Sequence, residues 1–239
     1  MATTTLTALL EGRAEKVTNG TIVQWTSQVR NATSADFIAT YGNSTTNTSA
    51  FRSYLQSTRG GAQGRCSRTF LFWNNFGTGV AGNITAAQVK IPGSTSTISL
   101  ADNILIESTA WNGDGTDTTL DNADYSEIDH SNAYCTLRTS WGIGYNTIDL
   151  NANAISDMNT NGYLNTALIE GQYDYGNTNP STGTSMAGTV RFQTSGVPIE
   201  LILTYSTGYS HDIIGVSSGD IVSVNGVVTA DIVSFNGVS

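Results

Sequence analysis

The sequence predicts an all-β protein: a jelly-roll β-sandwich with an N-terminal arm and a short repetitive β tail at the C-terminus. Three observations predict it. Apolar and polar residues alternate with period two, helical periodicity is almost absent, and turns are marked by Gly and Asn, with 25 Gly against only 3 Pro. The 239 residues are enough for one sandwich with peripheral arms.

The order of elements divides the chain in three. Residues 1–35 read as an N-terminal arm, in which Leu6–Lys16 fits either strand or helix and Thr21–Val29 is strand-like. Residues 36–209 read as the sandwich. Thr69–Trp73 is apolar after its first residue, as a strand covered on both faces would be. Val89 and Ile91 alternate with Gln88 and Lys90, and Val190 and Phe192 with Arg191 and Gln193. Ile199, Leu201, Leu203 and Tyr205 line one face of a further strand. One short helix is expected: Asn151 caps it, Ala154, Ile155 and Met158 share a face, and Asn161-Gly162 stops it.

Residues 210–239 are a different object. Asp220-Ile-Val-Ser-Val-Asn-Gly-Val227 recurs as Asp231-Ile-Val-Ser-Phe-Asn-Gly-Val238, seven of eight positions matching at a spacing of eleven. That spacing suits one strand and one Asn-Gly turn per repeat. From Asp212 to Ser239 there is no Lys, Arg, Glu or Pro, the residues that normally keep exposed strands from pairing edge to edge. Two copies bury too little to stand alone. The tail is therefore expected to pair with a neighbour through Ile221, Val224, Asn225, Gly226, Val227, Ile232, Phe235, Asn236, Gly237 and Val238; the alternative is that it folds back on its own sandwich.

Charge excludes several partners. A net charge of −9 with only two lysines, Lys16 and Lys90, leaves no basic cluster for phosphates, so neither nucleic acid nor an anionic membrane is expected. No apolar stretch reaches membrane-helix length, and Met1–Lys16 lacks the basic start and apolar core of a secretory signal, so the expectation is a chain made in a cytoplasm. Without export, Cys66 and Cys135 are expected as two buried thiols, with a disulfide between them as the alternative.

Candidate chemistry is sparse. Gly215-Val-Ser217-Ser-Gly219 spells a nucleophile elbow, but it lies in a β-rich repeat with no helix and no histidine after it. Paired carboxylates would have to come from Glu107, Glu127, Glu170, Glu200 or the aspartates, for which solvated surface acids are the plainer reading. Asp114, Asp117, Asp121 and Asp124 cluster in one Gly- and Thr-rich loop, oxygen ligands of the kind that hold calcium; the alternative is turn chemistry, since their spacing matches no EF-hand and Asp favours turns. Trp111, Trp141, Tyr173 and Tyr175 adjoin Gly-rich stretches and are the candidates for an exposed platform that stacks on a glycan, with core or rim packing as the alternative. No catalytic residue, cofactor or metal site is expected.

Two resemblances bear on function. The Ile-x-x-Val-Asn-Gly-Val units at 221–227 and 232–238 resemble motifs of tailed-bacteriophage virion proteins. Arg68-Thr-Phe-Leu-Phe-Trp-Asn-Asn-Phe-Gly77, followed by Ala81-Gly-Asn-Ile-Thr-Ala-Ala-Gln-Val-Lys-Ile91, resembles the opening of DNRLRE-type jelly-roll domains, and Pro198–Tyr205 their closing strand. The name motif is absent, with Gln193-Thr-Ser-Gly in its place. The first resemblance implies a virion structural protein: a capsid decoration protein, head fibre or tail-associated protein, non-enzymatic, bound to itself as a homo-oligomer (a trimer by analogy) and to other virion proteins. The second implies a carbohydrate-binding module or adhesin domain that recognises a surface glycan.

Overall fold

The computed structural model describes residues 1–20, 23–40, 52–58, 61–93, 102–181, 198–207, 223–224 and 227–228. Within them the chain is an all-β sandwich of two antiparallel sheets. β1 (Ala2–Thr7), β11 (Glu200–Tyr205), β6 (Ile84–Gly93) and β9 (Gly144–Asp149) form the smaller sheet, in the order β1-β11-β6-β9. The larger runs β3-β2-β5-β10-β7-β8, with β4 (Arg52–Thr58) also paired to β5. Its other members are β2 (Leu10–Gly20), β3 (Phe37–Thr40), β5 (Gly61–Trp73), β7 (Asn103–Ser108), β8 (Ile128–Ala133) and β10 (Leu164–Glu170).

The alternating strands behave as their pattern requires. Val89 and Ile91 on β6 and Leu201 and Leu203 on β11 are fully buried, and all join one core with Phe70, Phe72, Leu105 and Leu168 of the larger sheet. Thr69–Trp73 and the whole of β10 are buried on both faces. Loops cover one side of β5. Gly64 lies under Val23, Trp25 and Val29, while Phe70 and Phe72 meet the Trp111 ring edge-on at 6.2 and 6.5 Å.

Helix α1 (Ala152–Asn161) is capped as its sequence implies. The Asn151 side chain accepts from the Asn153 and Ala154 amides, and Gly162, at φ 75°, donates to Met158 O. Ala154 and Met158 form its buried face.

Two expectations for the N-terminal region need correction. Residues 1–35 are not an arm: β1 pairs with β11 and β2 with β5, so this region supplies a strand to each sheet. The described part of Thr21–Val29 is not a strand, because Thr26–Arg30 forms a helical turn that points Val29 inward beside Trp25. Val190 and Phe192 lie outside the described residues.

Candidate functional site

The densest polar cluster is built on a turn. β10 ends at Glu170, whose carboxylate accepts from the backbone amides of Gln172, Tyr173 and Asp174 at 2.6, 2.7 and 3.1 Å. This cap winds Gly171–Tyr175 into a single helical turn and aims Asp174 at the loop-covered side of β5. There the Asp174 carboxylate receives Arg68 Nε at 2.9 Å and Nη2 at 2.8 Å, a two-pronged pair with both residues out of solvent.

Two further donors of that guanidinium are spent on the framework. Arg68 Nη1 donates to Tyr125 O at 2.6 Å and Nη2 also to Arg30 O at 2.9 Å, while the guanidinium sits 4.2 Å over the Tyr125 ring. Arg30 Nε donates to Asp174 O at 2.5 Å, Cys66 Sγ to Asp174 Oδ2 at 3.3 Å, and His130 Nε2 lies 3.2 Å from Asp174 Oδ1. Burial alone would raise the Asp174 carboxyl; the charge and hydrogen bonds of Arg68 outweigh it and hold it well below the usual carboxylate range. Burial likewise pushes the Tyr125 phenol up, so it stays protonated and donates to Val29 O.

The cluster brings a thiol, an imidazole and a carboxylate together without making a nucleophile. A catalytic triad needs a base facing its nucleophile and a carboxylate free to orient that base. Asp174 is committed to Arg68 on both oxygens, and Cys66 is wholly buried. What the arrangement does is tie β5, the turn after β10 and the two segments 25–31 and 123–126 into one body.

The four aspartates after Trp111 act through turn chemistry. Asp114 and Asp117 accept from the amides of Thr116 and Thr119, Asp121 from those of Ala123 and Asp124, and Asp124 from those of Asp121 and Trp111. Each carboxylate serves the loop backbone.

The four aromatic candidates do not assemble into a platform. Trp111, Trp141 and Tyr173 are 1%, 9% and 8% exposed, and Tyr175 is half-buried against the core. The left-handed backbone at Trp111 (φ 57°) turns its ring in against Phe70 and Phe72, where the sequence placed it at a loop rim.

Of the acids considered for paired-carboxylate chemistry, Glu170 is buried as a cap and Glu127 is pushed up to about 7 by burial and by Asp124 and Asp121. Glu107 has a neighbour that sequence reasoning did not identify. Asn132 Nδ2 donates to Glu107 Oε2 at 2.8 Å and reaches Asp157 Oδ2 at 3.5 Å, and Tyr134 Oη donates to Asp157 at 2.8 Å. These contacts join β7, β8 and α1, and an amide sits between the two carboxylates where a substrate bond would have to lie.

Of the tail residues, Val224 and Val227 are described. They face each other in an antiparallel pair, with Ser223 opposite Val228, making β12 (Ser223–Val224) and β13 (Val227–Val228) a small two-stranded sheet. Ile221, Asn225, Gly226, Ile232, Phe235, Asn236, Gly237 and Val238 lie outside the described residues, as do His211 and Ser217. Among the described residues, this small sheet pairs with neither of the larger two.

Comparison with known proteins adds no relative: no protein-family model matches the chain, and no curated protein matches it. The two resemblances therefore rest on the residues quoted for them. Cys66 and Cys135 are buried thiols, and no described helix is long and apolar enough to cross a membrane.

Proposed function

We propose that this chain is a non-enzymatic structural component of a bacteriophage virion, a capsid decoration, head-fibre or tail-associated protein that assembles with copies of itself and with other virion proteins. The observation that carries the proposal is the tail repeat. A small two-stranded sheet at Val224 and Val227, recurring in sequence eleven residues later, is too small to be stable in water by itself. Its β-branched, lysine-free and proline-free composition gives it nothing to keep other strands away. A neighbouring chain supplies the missing sheet. The sandwich is the displayed part, with its jelly-roll character expected from the order of its strands.

The test compares the molar mass in solution of the full chain with that of a chain ending at Tyr209. The full chain forms the larger assembly, and the shortened one keeps its β-sheet signal and drops to a smaller species. Equal masses at equal concentration overturn the proposal.

A further inference from the structure

Among the described residues, the outer strands of the two sheet paths are not equally guarded. At β8 the pairing with β7 is broken by a register shift at Ile106/Glu107, and the strand carries Asp129 and His130. At β9 the Arg138 guanidinium donates to Thr147 O at 3.1 Å, covering the middle of the edge. β3 is only four residues long and follows the Asp36–Lys16 ion pair. These are the usual ways of blunting an edge.

Among the described residues, β1 has none of them. It is six residues in unbroken register from Ala2↔Tyr205 to Thr7↔Glu200, without charge, proline or bulge. Ala8 N donates to Ile199 O at 2.9 Å, one step along the same register. Hydrogen-bonded pairs alternate along an antiparallel ladder, so Ala2, Thr4 and Leu6 are the residues bonded to β11. The amides and carbonyls of Thr3, Thr5 and Thr7 therefore point away from the sheet. The inner face is also incomplete: Ala2, Thr4 and Leu6 are half-buried, where Leu201 and Leu203 on the next strand are fully buried.

The outward positions read the same in both directions about Thr5. We propose that β1 is a two-fold interface with β1 of a second copy of this chain, paired antiparallel with Thr5 opposite Thr5. In that register Thr3 faces Thr7, Thr7 faces Thr3, and each of these pairs exchanges two backbone hydrogen bonds. Threonines stack on threonines along the outer face, and Leu6 meets Thr4 along the inner one, covering what one copy leaves half-exposed. A two-fold contact requires a surface that complements itself, and a strand with matching residues either side of its centre meets that condition. The contact is separate from the tail and does not depend on it.

The test is a symmetric cross-link in the full chain. Thr5→Cys places two thiols across the axis with Cα atoms about 5.5 Å apart, within disulfide reach. Thr3→Cys places them about 13 Å apart along the strands. Cys66 and Cys135 are buried and do not compete. Under mild oxidation Thr5→Cys gives a covalent dimer and Thr3→Cys stays monomeric on a denaturing gel. Thr5→Pro removes an outward amide and no bond to β11, so it halves the native mass of the full chain. A folded Thr5→Cys protein that forms no dimer, equal cross-linking from both cysteine positions, or an unchanged mass in Thr5→Pro each overturns the proposal. Cross-linking that survives truncation after Tyr209 separates it from the tail contact.

Discussion

Arg68 and Asp174 lie 106 residues apart in sequence and meet through two hydrogen bonds, 2.9 and 2.8 Å, with neither side chain reaching solvent. A buried ion pair adds little net stability over a well-packed apolar pair, yet breaking one from a single side is costly because the surviving charge has no water to turn to. Arg68→Ala is expected to destabilise the fold by about 3–5 kcal/mol in urea unfolding. Loss below about 1 kcal/mol would show that solvent or another group takes over the Asp174 carboxylate.

The pH dependence follows from carboxyls shifted in opposite directions. Asp174 is depressed in the folded state, so its contribution is present above the ordinary aspartate range and is lost as pH falls through its folded value. Burial raises Glu11 to about 7, so its contribution is present below the ordinary glutamate value and is lost as pH rises through about 7. Glu127, also raised to about 7, acts in the same sense. The melting temperature is thus higher at pH 5 than at pH 8, and Glu11→Gln narrows that gap. A wild-type chain equally stable at both values would contradict this.

Two glycines with the same backbone sign separate strain from crowding. Gly79 (φ 76°) has open space where a Cβ would go, whereas a Cβ on Gly115 (φ 73°) would sit 2.4 Å from the Phe72 ring. Gly79→Ala should cost about 1 kcal/mol from its left-handed backbone alone. Gly115→Ala should cost about 2–4 kcal/mol, because Phe72 is held by Trp111 and Tyr163 and cannot swing away cheaply. Chemical denaturation of the two variants checks the difference.

Both thiols are closed off, Cys66 at 0% exposure and Cys135 at 5%, and burial pushes the Cys135 thiol up. A thiol reagent is expected to label neither in the native chain and both after unfolding. Fast native labelling would show that the cluster around Asp174 opens.

Local pattern was enough for elements whose partners do not matter to their type. The run Ile199–Tyr205 alternates, and Leu201 and Leu203 are buried; Asn151 and Gly162 bracket a helix because caps act within a few residues. The pairing of residues 1–20 was not legible, because their partners sit on β11 and β5, far along the chain, and six residues of mostly Thr carry little pattern of their own. The strand expected at Thr21–Val29 gives way because Val29 and Trp25 instead pack into the gap over Gly64. Trp111 looked like a rim residue beside glycines, yet its left-handed backbone faces it inward. The Arg68–Asp174 pair left no sequence signal beyond an arginine beside an apolar run.

The claim that the tail must be covered by another chain is tested most directly by amide hydrogen exchange over residues 220–238 at high and low protein concentration. Protection that is strong in the assembled protein and disappears on dilution is the expected result. Fast exchange at every concentration, or protection that does not change on dilution, would contradict it.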